Sequence, residues 1–322
     1  MEVISNCTTN AILKAARALK DGQLVAFPTE TVYGIGADAT NVSAVGRMFQ
    51  VKGRPRTHPV IVHISSINKL KYWARDIPEC AQKLGDAFWP GPMTLILKRT
   101  NLASDFITGG QESVGLRVPK NKAALSLTQE FESLGGFGIA APSANRFGSV
   151  SPTNASAVED ELATFLGSKD LILNGDQCEI GVESTIIDCT QLNPVILRPG
   201  AITKEMIEQV TNLTVISKAD KSAVRVPGLL ESHYAPKAQV ILGLGAKLGD
   251  GFIALSKIAT PAGSIRLASP ASIEDYGKDL YRALRRGDQL GLKRIYVVEP
   301  TGPGLAIAIR DRLIKASSGK GA

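Results

Sequence analysis

Residues 52–64 read KGRPRTHPVIVHI, a basic loop that runs directly into an apolar stretch. The alternation over residues 60–64 is typical of a β-strand, and it places His63 on the same face as Ile61. The loop before this strand carries Lys52, Arg54, Arg56 and His58, and its prolines restrict the backbone. Arginine and lysine are strong partners for phosphate oxygens. We therefore predict a strand that follows a polyphosphate-binding loop.

Two plainer interpretations of this stretch stay open. Runs of charge are more often solvated turns than binding sites. A histidine on an apolar face is more often satisfied by its neighbours than used as a ligand, because an unpaired buried imidazole would lose solvation.

Strand-like and helical patterns alternate on both sides of this segment. The pair of runs within residues 184–197 reads as two strands joined by a short turn, so we expect a mixed sheet in an α/β domain. We expect Ser151 and Pro152 to open the helix at 153–165. The other predicted strands are 24–27, 93–97, 114–118, 138–141 and 171–173, and the other predicted helices are 9–20, 44–49, 78–88 and 122–131.

The length of 322 residues exceeds that of one typical core, so two domains are expected. Apolar periodicity disappears over residues 217–238, which we take as a linker. Beyond it, predicted strands at 240–242, 252–255, 264–267 and 294–298 alternate with predicted helices at 272–285 and 305–315. This pattern predicts a small three-layer, Rossmann-like module over residues 239–322 behind a larger domain over residues 1–216.

Composition narrows the class of protein further. No apolar stretch approaches membrane-spanning length, so we expect a cytoplasmic protein without a membrane partner. The four cysteines are scattered, which favours buried free thiols over a metal site.

The net charge is +7, and residues 218–322 carry 17 Lys and Arg against 9 Asp and Glu. A basic module can favour RNA, although few aromatic residues are interleaved for base stacking.

Two further features point to chemistry. Arg117 lies inside the apolar run 114–118, where a permanent charge needs an anionic partner. That partner is either a structural Asp or Glu or the carboxylate of a substrate.

The run APSAN at 141–145 combines small side chains with hydroxyls ahead of Ser151. This composition suits close approach of a ligand, although ordinary turns have the same composition. Neither a Walker A motif nor a dinucleotide fingerprint is present.

In order along the chain, these segments resemble the YrdC-type threonylcarbamoyl-AMP synthase family in its long, two-domain form. The matching stretches are FPTETVYG at 27–34, KGRP at 52–55, HPVIVHI at 58–64, WPGPMT at 89–94, VGLRVP at 114–119, APSAN at 141–145, SPT at 151–153, EST at 183–185 and LRPG at 197–200. The later segments PG at 227–228 and HYAP at 233–236 extend the resemblance into the linker. Val60 and residues 229–232 depart from the usual family pattern.

The resemblance implies a twisted open mixed sheet that holds threonine and ATP, with the linker folded over the opening as a lid. It implies that threonine contacts Thr31, His63, Arg117, Ala141 and Ser184. It implies an ATP site of Lys52, Arg54, His58, Ser113, Ser143, Asn145, Ser151, Arg198 and Tyr234, in which Lys52 and Arg54 are catalytic.

The implied activity is that of a nucleotidyltransferase, an L-threonylcarbamoyladenylate synthase. It joins L-threonine, bicarbonate and ATP into threonylcarbamoyl-AMP and pyrophosphate, for threonylcarbamoyladenosine formation in tRNA. Mg²⁺ would be carried by the ATP phosphates and not by protein side chains. Transient contact with the tRNA-modification machinery that transfers the threonylcarbamoyl group, and weak contact with tRNA, are expected.

Two alternatives remain at this point. The first is an RNA-binding module acting in translation or ribosome maturation. The second is a carbamoyl-transfer maturation factor, although the cysteine-rich zinc elements of such proteins are missing from this sequence.

Overall fold

The computed structural model of the chain describes residues 1–217, 224–228 and 234–319. The predicted linker at 217–238 falls partly on residues 218–223 and 229–233, which lie outside the described residues.

The larger, N-terminal part alternates strands and helices over residues 1–217. Its strands are β1 (Glu2–Ile4), β2 (Val25–Phe27), β3 (Gly34–Asp38), β4 (Ile61–His63), β5 (Met93–Lys98), β6 (Ser113–Arg117), β7 (Ile139–Ala140), β8 (Leu171–Leu173), β9 (Thr185–Asp188), β10 (Val195–Arg198) and β11 (Ile216–Ser217). Its helices are α1 (Thr9–Lys20), α2 (Val42–Lys52), α3 (Leu70–Trp73), α4 (Glu79–Phe88), α5 (Asp105–Thr108), α6 (Lys122–Ser133), α7 (Ala155–Leu162) and α8 (Lys204–Thr211).

The strands of this part form one sheet, in the order β1-β8-β2-β3-β7-β4-β6-β5-β9-β10-β11 among the described residues. Strands β4 and β6 run parallel, whereas β7 and β5 flank them antiparallel. Strand β9 runs parallel to β5 and antiparallel to β10. The mixed sheet expected from the sequence is therefore confirmed, including the strand pair within residues 184–197.

Apolar side chains of the sheet and helices form the core of this part. One cluster includes Tyr33, Met48, Trp73 and Leu116, all buried. A second cluster, with Phe27 and Phe131, lies between the sheet and helices α1 and α6. The sheet is thus covered by helices, as expected for an α/β domain.

The basic loop begins where α2 ends. Lys52 is the last residue of this helix, and Gly53 follows in the left-handed conformation with φ 63°. Glycine adopts this conformation without a steric penalty, so it terminates the helix and turns the chain into the loop. Residues 54–60 then lead to β4.

The C-terminal module, defined here as residues 239–319, has its own parallel sheet. Its elements are β12 (Gln239–Leu242), β13 (Gly251–Ile253), β14 (Ile265–Ala268), α9 (Ile273–Gln289), β15 (Arg294–Val297) and α10 (Leu305–Ser317), with the strand order β12-β15-β13-β14. Helices α9 and α10 contact each other and the strands. The small second parallel sheet predicted from the sequence is confirmed.

Some local predictions need correction. The helix expected at 153–165 begins at Ala155, and its N-cap is Asn154, whose side chain accepts a hydrogen bond from the Ala157 amide. The Ser151 hydroxyl instead donates to Glu183, at 2.7 Å. Strand β3 and helix α8 were not predicted. Cys80, Cys178 and Cys189 are buried free thiols as expected, whereas Cys7 is half-buried.

No helix in the described ranges has both the length and the apolar composition that crossing a bilayer requires.

Candidate active site

One cavity lies against the sheet. Side chains at the ends of several strands line it, together with linker residues on the opposite side. The lining residues are Thr29, Thr31, Val32, Tyr33, Gly34, Arg54, Ile61, His63, Arg117, Ala141, Pro142, Ser143, Glu183, Ser184, Arg198, Pro227, Gly228 and Tyr234.

His63 and Arg117 both line this cavity. They are register partners at the carboxyl ends of the parallel strands β4 and β6, a common position for ligands in open α/β sheets. His63 lies on the same wall as Ile61, as the alternation predicted. Among the described residues, no side chain forms a hydrogen bond with either ring nitrogen of His63. Burial and the charge of Arg117 lower the pKa of His63 to about 3, so its imidazole is neutral near pH 7.

Arg117 has the buried carboxylate partner that the sequence left as one alternative. Its Nη2 lies 2.7 Å from Oε1 of Glu30, and both side chains are buried. The contact is poorly directed, because neither atom satisfies hydrogen-bond geometry within the described residues. Nε of Arg117 also lacks a partner there. The guanidinium is therefore held by Glu30 and retains donors for an anion in the cavity.

A turn after β2 presents two threonine hydroxyls. The Thr29 hydroxyl donates to the carbonyl oxygen of Val32 at 2.6 Å, and it lies 2.9 Å from the hydroxyl of Thr31. Such side-chain to backbone bonds fix the turn locally. The turn holds Thr31 in the cavity wall.

Arg198 connects the opposite wall to the linker. Its Nε and Nη2 donate to the carbonyl oxygen of Ser184 at 3.1 and 3.0 Å, and Nη2 also reaches the Ser184 hydroxyl at 3.1 Å. That hydroxyl also lies 2.8 Å from the hydroxyl of Thr94. Nη1 donates to the carbonyl oxygen of Pro227 at 3.1 Å. The guanidinium is therefore oriented from two sides.

The two residues proposed as catalytic occupy different environments. Arg54 lines the cavity, donates to the carbonyl oxygen of Pro59 at 2.8 Å and lies over the ring of Phe147. Burial lowers its pKa to about 10, so it stays protonated at neutral pH. Lys52 is buried and does not line this cavity; its ammonium donates to the carbonyl oxygens of Ser143 and Asn145. Lys52 thus binds the backbone of the APSAN loop.

The other predicted site residues also divide into those that line the cavity and those that do not. The five residues expected to contact threonine all line the cavity: Thr31, His63, Arg117, Ala141 and Ser184. Of the residues expected around ATP, Arg54, Ser143, Arg198 and Tyr234 line it, whereas Lys52, His58, Ser113, Asn145 and Ser151 do not.

Those outlying residues have other contacts. The half-buried His58 packs edge-on against Phe147. Asn145 donates from Nδ2 to the carbonyl oxygens of Arg146 and Ser149 at 2.7 and 2.8 Å. Ser113 is buried at the start of β6.

The described part of the linker covers the cavity. Val226 packs among apolar residues of the sheet, including Ile61 and Leu197. The Arg225 backbone exchanges two hydrogen bonds with the Gln111 side chain, at 2.6 and 2.9 Å. Tyr234 is buried and has a positive φ of 62°. These contacts hold Pro227, Gly228 and Tyr234 in the cavity wall.

Sequence reasoning missed buried charged residues in this wall and behind it. Glu30 and Glu183 are buried carboxylates, and Arg312 of α10 is completely buried beside Glu183. One signal was available for Arg312. Its neighbours at helical spacing include the apolar residues Ala308 and Ala316, so a charge on that face of α10 needs a partner.

Known proteins resemble this chain over most of its length. The Sua5/YciO/YrdC family model, described as "Telomere recombination", matches residues 17–200, and the model described as "Threonylcarbamoyl-AMP synthase, C-terminal domain" matches residues 202–318. A threonylcarbamoyl-AMP synthase of Pyrococcus abyssi is 38% identical over 94% of this chain and 93% of its own length. One of Bacillus subtilis is 36% identical over 99% of this chain and 97% of its own.

A solved structure also resembles this chain. The crystal structure of Pyrococcus abyssi Sua5 complexed with L-threonine matches with a TM-score of 0.88 and 35% identity, covering 98% of each chain.

Proposed function

The chain belongs to the Sua5/YciO/YrdC family, and we propose that it is an L-threonylcarbamoyladenylate synthase. It condenses L-threonine, bicarbonate and ATP into threonylcarbamoyl-AMP and pyrophosphate, for threonylcarbamoyladenosine formation in tRNA. One observation carries this function: the neutral His63 and the partly unpaired Arg117 share a cavity with Arg54 and Arg198. This cavity offers donors for an amino acid next to cations for a triphosphate.

We place threonine in the part of the cavity around β4 and β6. We assign its carboxylate to Arg117, because a guanidinium with free donors in a buried site is a strong partner for a carboxylate. The neutral His63 and the hydroxyls of Thr31 and Ser184 provide hydrogen bonds for its polar groups. The small side chain of Ala141 leaves room for threonine beside the cavity wall. The Pyrococcus abyssi relative, which was solved with L-threonine, supports this substrate.

We place ATP at the other side of the cavity, where the cations are Arg54 and Arg198. We assign the phosphates to these two residues, with Ser143 and Tyr234 close by in the same wall. Lys52 supports the site through the APSAN backbone. We retain His58, Ser113, Asn145 and Ser151 as proposed contacts of bound ATP, although none of them lines the cavity here.

The chemistry needs positioning and charge more than a side-chain nucleophile. The threonine amine attacks bicarbonate and forms a carbamate with loss of water. A carbamate oxygen then attacks the α-phosphorus of ATP, and the bond to the leaving pyrophosphate breaks. Arg54 and Arg198 offset the repulsion between these anions and stabilise charge on the phosphoryl oxygens. This reaction makes the enzyme a nucleotidyltransferase.

A metal ion would enter with the nucleotide. Across the described residues, no three His, Cys, Asp or Glu side chains form a group that could hold one. We propose that the ATP phosphates coordinate Mg²⁺, since Mg²⁺ is commonly bound through substrate phosphates and water. When bound, the ion would neutralise part of the phosphate charge.

The chemistry of the product indicates which kind of partner uses it. An acyl-adenylate is reactive in water, so we propose that the threonylcarbamoyl group passes in a transient encounter to the machinery that transfers it to tRNA. Weak contact with tRNA through the basic C-terminal module belongs to the same proposal.

The test supplies radiolabelled bicarbonate, ATP and Mg²⁺ and measures nucleotide-linked label and pyrophosphate. With L-threonine, both products should form in equal amounts and without RNA. Reactions without threonine, or with serine in its place, should form much less of either. Equal yields with and without threonine would contradict the proposed function.

A further inference from the structure

Glu183 joins the cavity wall to the C-terminal module. Its carboxylate accepts hydrogen bonds from the Ser151 hydroxyl at 2.7 Å, from Nε of Arg312 at 2.9 Å and from the Tyr281 hydroxyl at 3.0 Å. Ser151 belongs to the N-terminal part, but Tyr281 lies on α9 and Arg312 on α10. The carboxylate is therefore fixed from three directions, two of them in the other domain.

Arg312 is fully buried, although it carries a permanent charge. Besides Glu183, it donates from Nη1 to Asp311 at 2.6 Å, and its guanidinium lies 5.4 Å from the ring centre of Tyr234. Tyr234 in turn stacks against Tyr281, with ring centres 5.8 Å apart. Linker, module and cavity wall thus meet in one cluster, defined as Glu183, Tyr234, Tyr281 and Arg312.

The electrostatics of this cluster keep Glu183 ionised. Burial alone would raise the pKa of Glu183, but the charges of Arg312 and Arg198 and hydrogen bonds from Arg312 and Ser151 lower it to about 2. A buried carboxylate without such partners would tend to take up a proton.

The backbone of the C-terminal module also lies close to the backbone of the cavity wall. A Cβ at Gly277 of α9 would lie 2.8 Å from the carbonyl oxygen of Ile180, and a Cβ at Gly181 would overlap with the backbone of Gly277. Arg285 of α9 adds an ion pair with Glu161 at 3.1 Å. Such close contact leaves little freedom for the segment that ends at Glu183.

Glu183 lines the cavity itself, and its movement would also shift the neighbouring Ser184. The carbonyl oxygen of Ser184 accepts two hydrogen bonds from Arg198, and its hydroxyl accepts a third. Arg198 is the cation that also holds the Pro227 carbonyl. The position of residues 183–184 therefore sets the direction of the Arg198 guanidinium.

We propose that Tyr281 and Arg312 are positioning residues of the active site, through which the C-terminal module orients Glu183, Ser184 and Arg198 for the reacting phosphate. This inference rests on the proposed function and gives the module a role in it. Neither residue lines the cavity, and the hydrogen bonds of both to Glu183 connect them to it.

The test compares Arg312→Gln and Tyr281→Phe with Arg282→Gln. Arg282 lies on α9 but pairs with Asp279 in an exposed i,i+3 bridge, so its substitution is a matched control. We expect kcat to fall about tenfold or more in Arg312→Gln and severalfold in Tyr281→Phe, with less change in the KM for threonine. Arg282→Gln should keep wild-type values, and Arg312→Lys should recover part of the loss.

A pH profile separates positioning from general stability. Without Arg312, the pKa of Glu183 rises, so its carboxylate protonates at a higher pH. The acid limb of kcat should therefore move to higher pH in Arg312→Gln and stay in place in Arg282→Gln. The charged and titratable groups that face Glu183 are Arg198, Tyr234, Tyr281 and Arg312.

A double-mutant cycle gives the second readout. If Arg312 acts through Glu183, then Arg312→Gln should cost little additional activity in a Glu183→Gln background. Additive losses, or unchanged kcat and pH profile in folded Arg312→Gln, would overturn the inference. Should Arg312→Gln fail to fold, unchanged kinetics of Tyr281→Phe would overturn it in the same way. An inactive wild-type enzyme would instead refute the proposed function.

Discussion

The hydroxyl of Tyr234 occupies the space beside Gly228 where any side chain at that position would lie. Gly228 also has a positive φ of 82°. The two linker residues thus fit together over the cavity, and this contact depends on the absence of a Cβ at residue 228.

Gly228→Ala should therefore disturb the cover of the site. A strained backbone costs about 1 kcal/mol at a left-handed position, and the methyl group additionally displaces Tyr234. We expect kcat/KM to fall at least about tenfold, or about 1.4 kcal/mol. Gly249→Ala is the matched control, because Gly249 has φ 83° and open space around its would-be Cβ. Equal activity of the two variants in steady-state assays would exclude the steric explanation.

Gln111→Ala tests how the N-terminal part anchors the linker at Arg225. The substitution removes both hydrogen bonds with the Arg225 backbone and leaves the bond from Arg225 Nη2 to the Gly109 carbonyl, so the loosened cover should admit water to the carbamate. We expect turnover to fall about 5- to 30-fold, since two hydrogen bonds contribute about 1 to 2 kcal/mol together. Gln82→Ala serves as control, because the exposed Gln82 side chain forms its hydrogen bonds with Asp86 within α4. Turnover equal to that of this control would remove the anchoring role of Gln111.

Arg117→Gln should weaken threonine binding by one to two orders of magnitude, as lost charge-assisted hydrogen bonds contribute about 1.5 to 3 kcal/mol. The same change leaves Glu30 buried beside no cation, which costs stability. The double variant Glu30→Gln/Arg117→Gln should recover stability but not affinity. Calorimetric titration with threonine and thermal unfolding measure the two effects. Wild-type affinity in either variant would remove Arg117 from the threonine site.

Stability should fall in mild acid because of His63. Its folded pKa of about 3 lies below the ordinary value of 6.5, so only the unfolded chain binds this proton between those two values. Unfolding is then favoured as pH falls, by at most about 1.4 kcal/mol per pH unit. In His63→Gln, the free energy of unfolding from denaturant titrations should depend less on pH between 6.5 and 4. Identical slopes for both proteins would show that His63 does not titrate as a buried neutral base.

Local patterns predicted the strands that carry the site. Alternation alone assigned His63 to the face of Ile61, and β4 confirms this. Strand β3 was missed because its sequence GIGAD is rich in glycine and has weak strand propensity; pairing with β2 and β7 stabilises it. Propensity could not detect a strand that depends on its neighbours.

Contacts between distant segments were also beyond local reasoning. Arg117 clearly needed an anion, but nothing in the sequence selected Glu30 as its partner. Arg312 and Glu183 are 129 residues apart, and only the docking of α9 and α10 brings them together. Ser151 resembled a helix cap, but Asn154 lies closer to the first turn and leaves Ser151 free to bind Glu183. Tertiary packing decided each of these cases.

The most direct test of the central claim is a crystal structure with L-threonine and a non-hydrolysable ATP analogue bound together. We predict that both ligands occupy the cavity between β4 and Tyr234, with the threonine carboxylate on Arg117 and the triphosphate on Arg54 and Arg198. Density for threonine or the nucleotide outside this cavity, with these three guanidinium groups unliganded, would contradict the account.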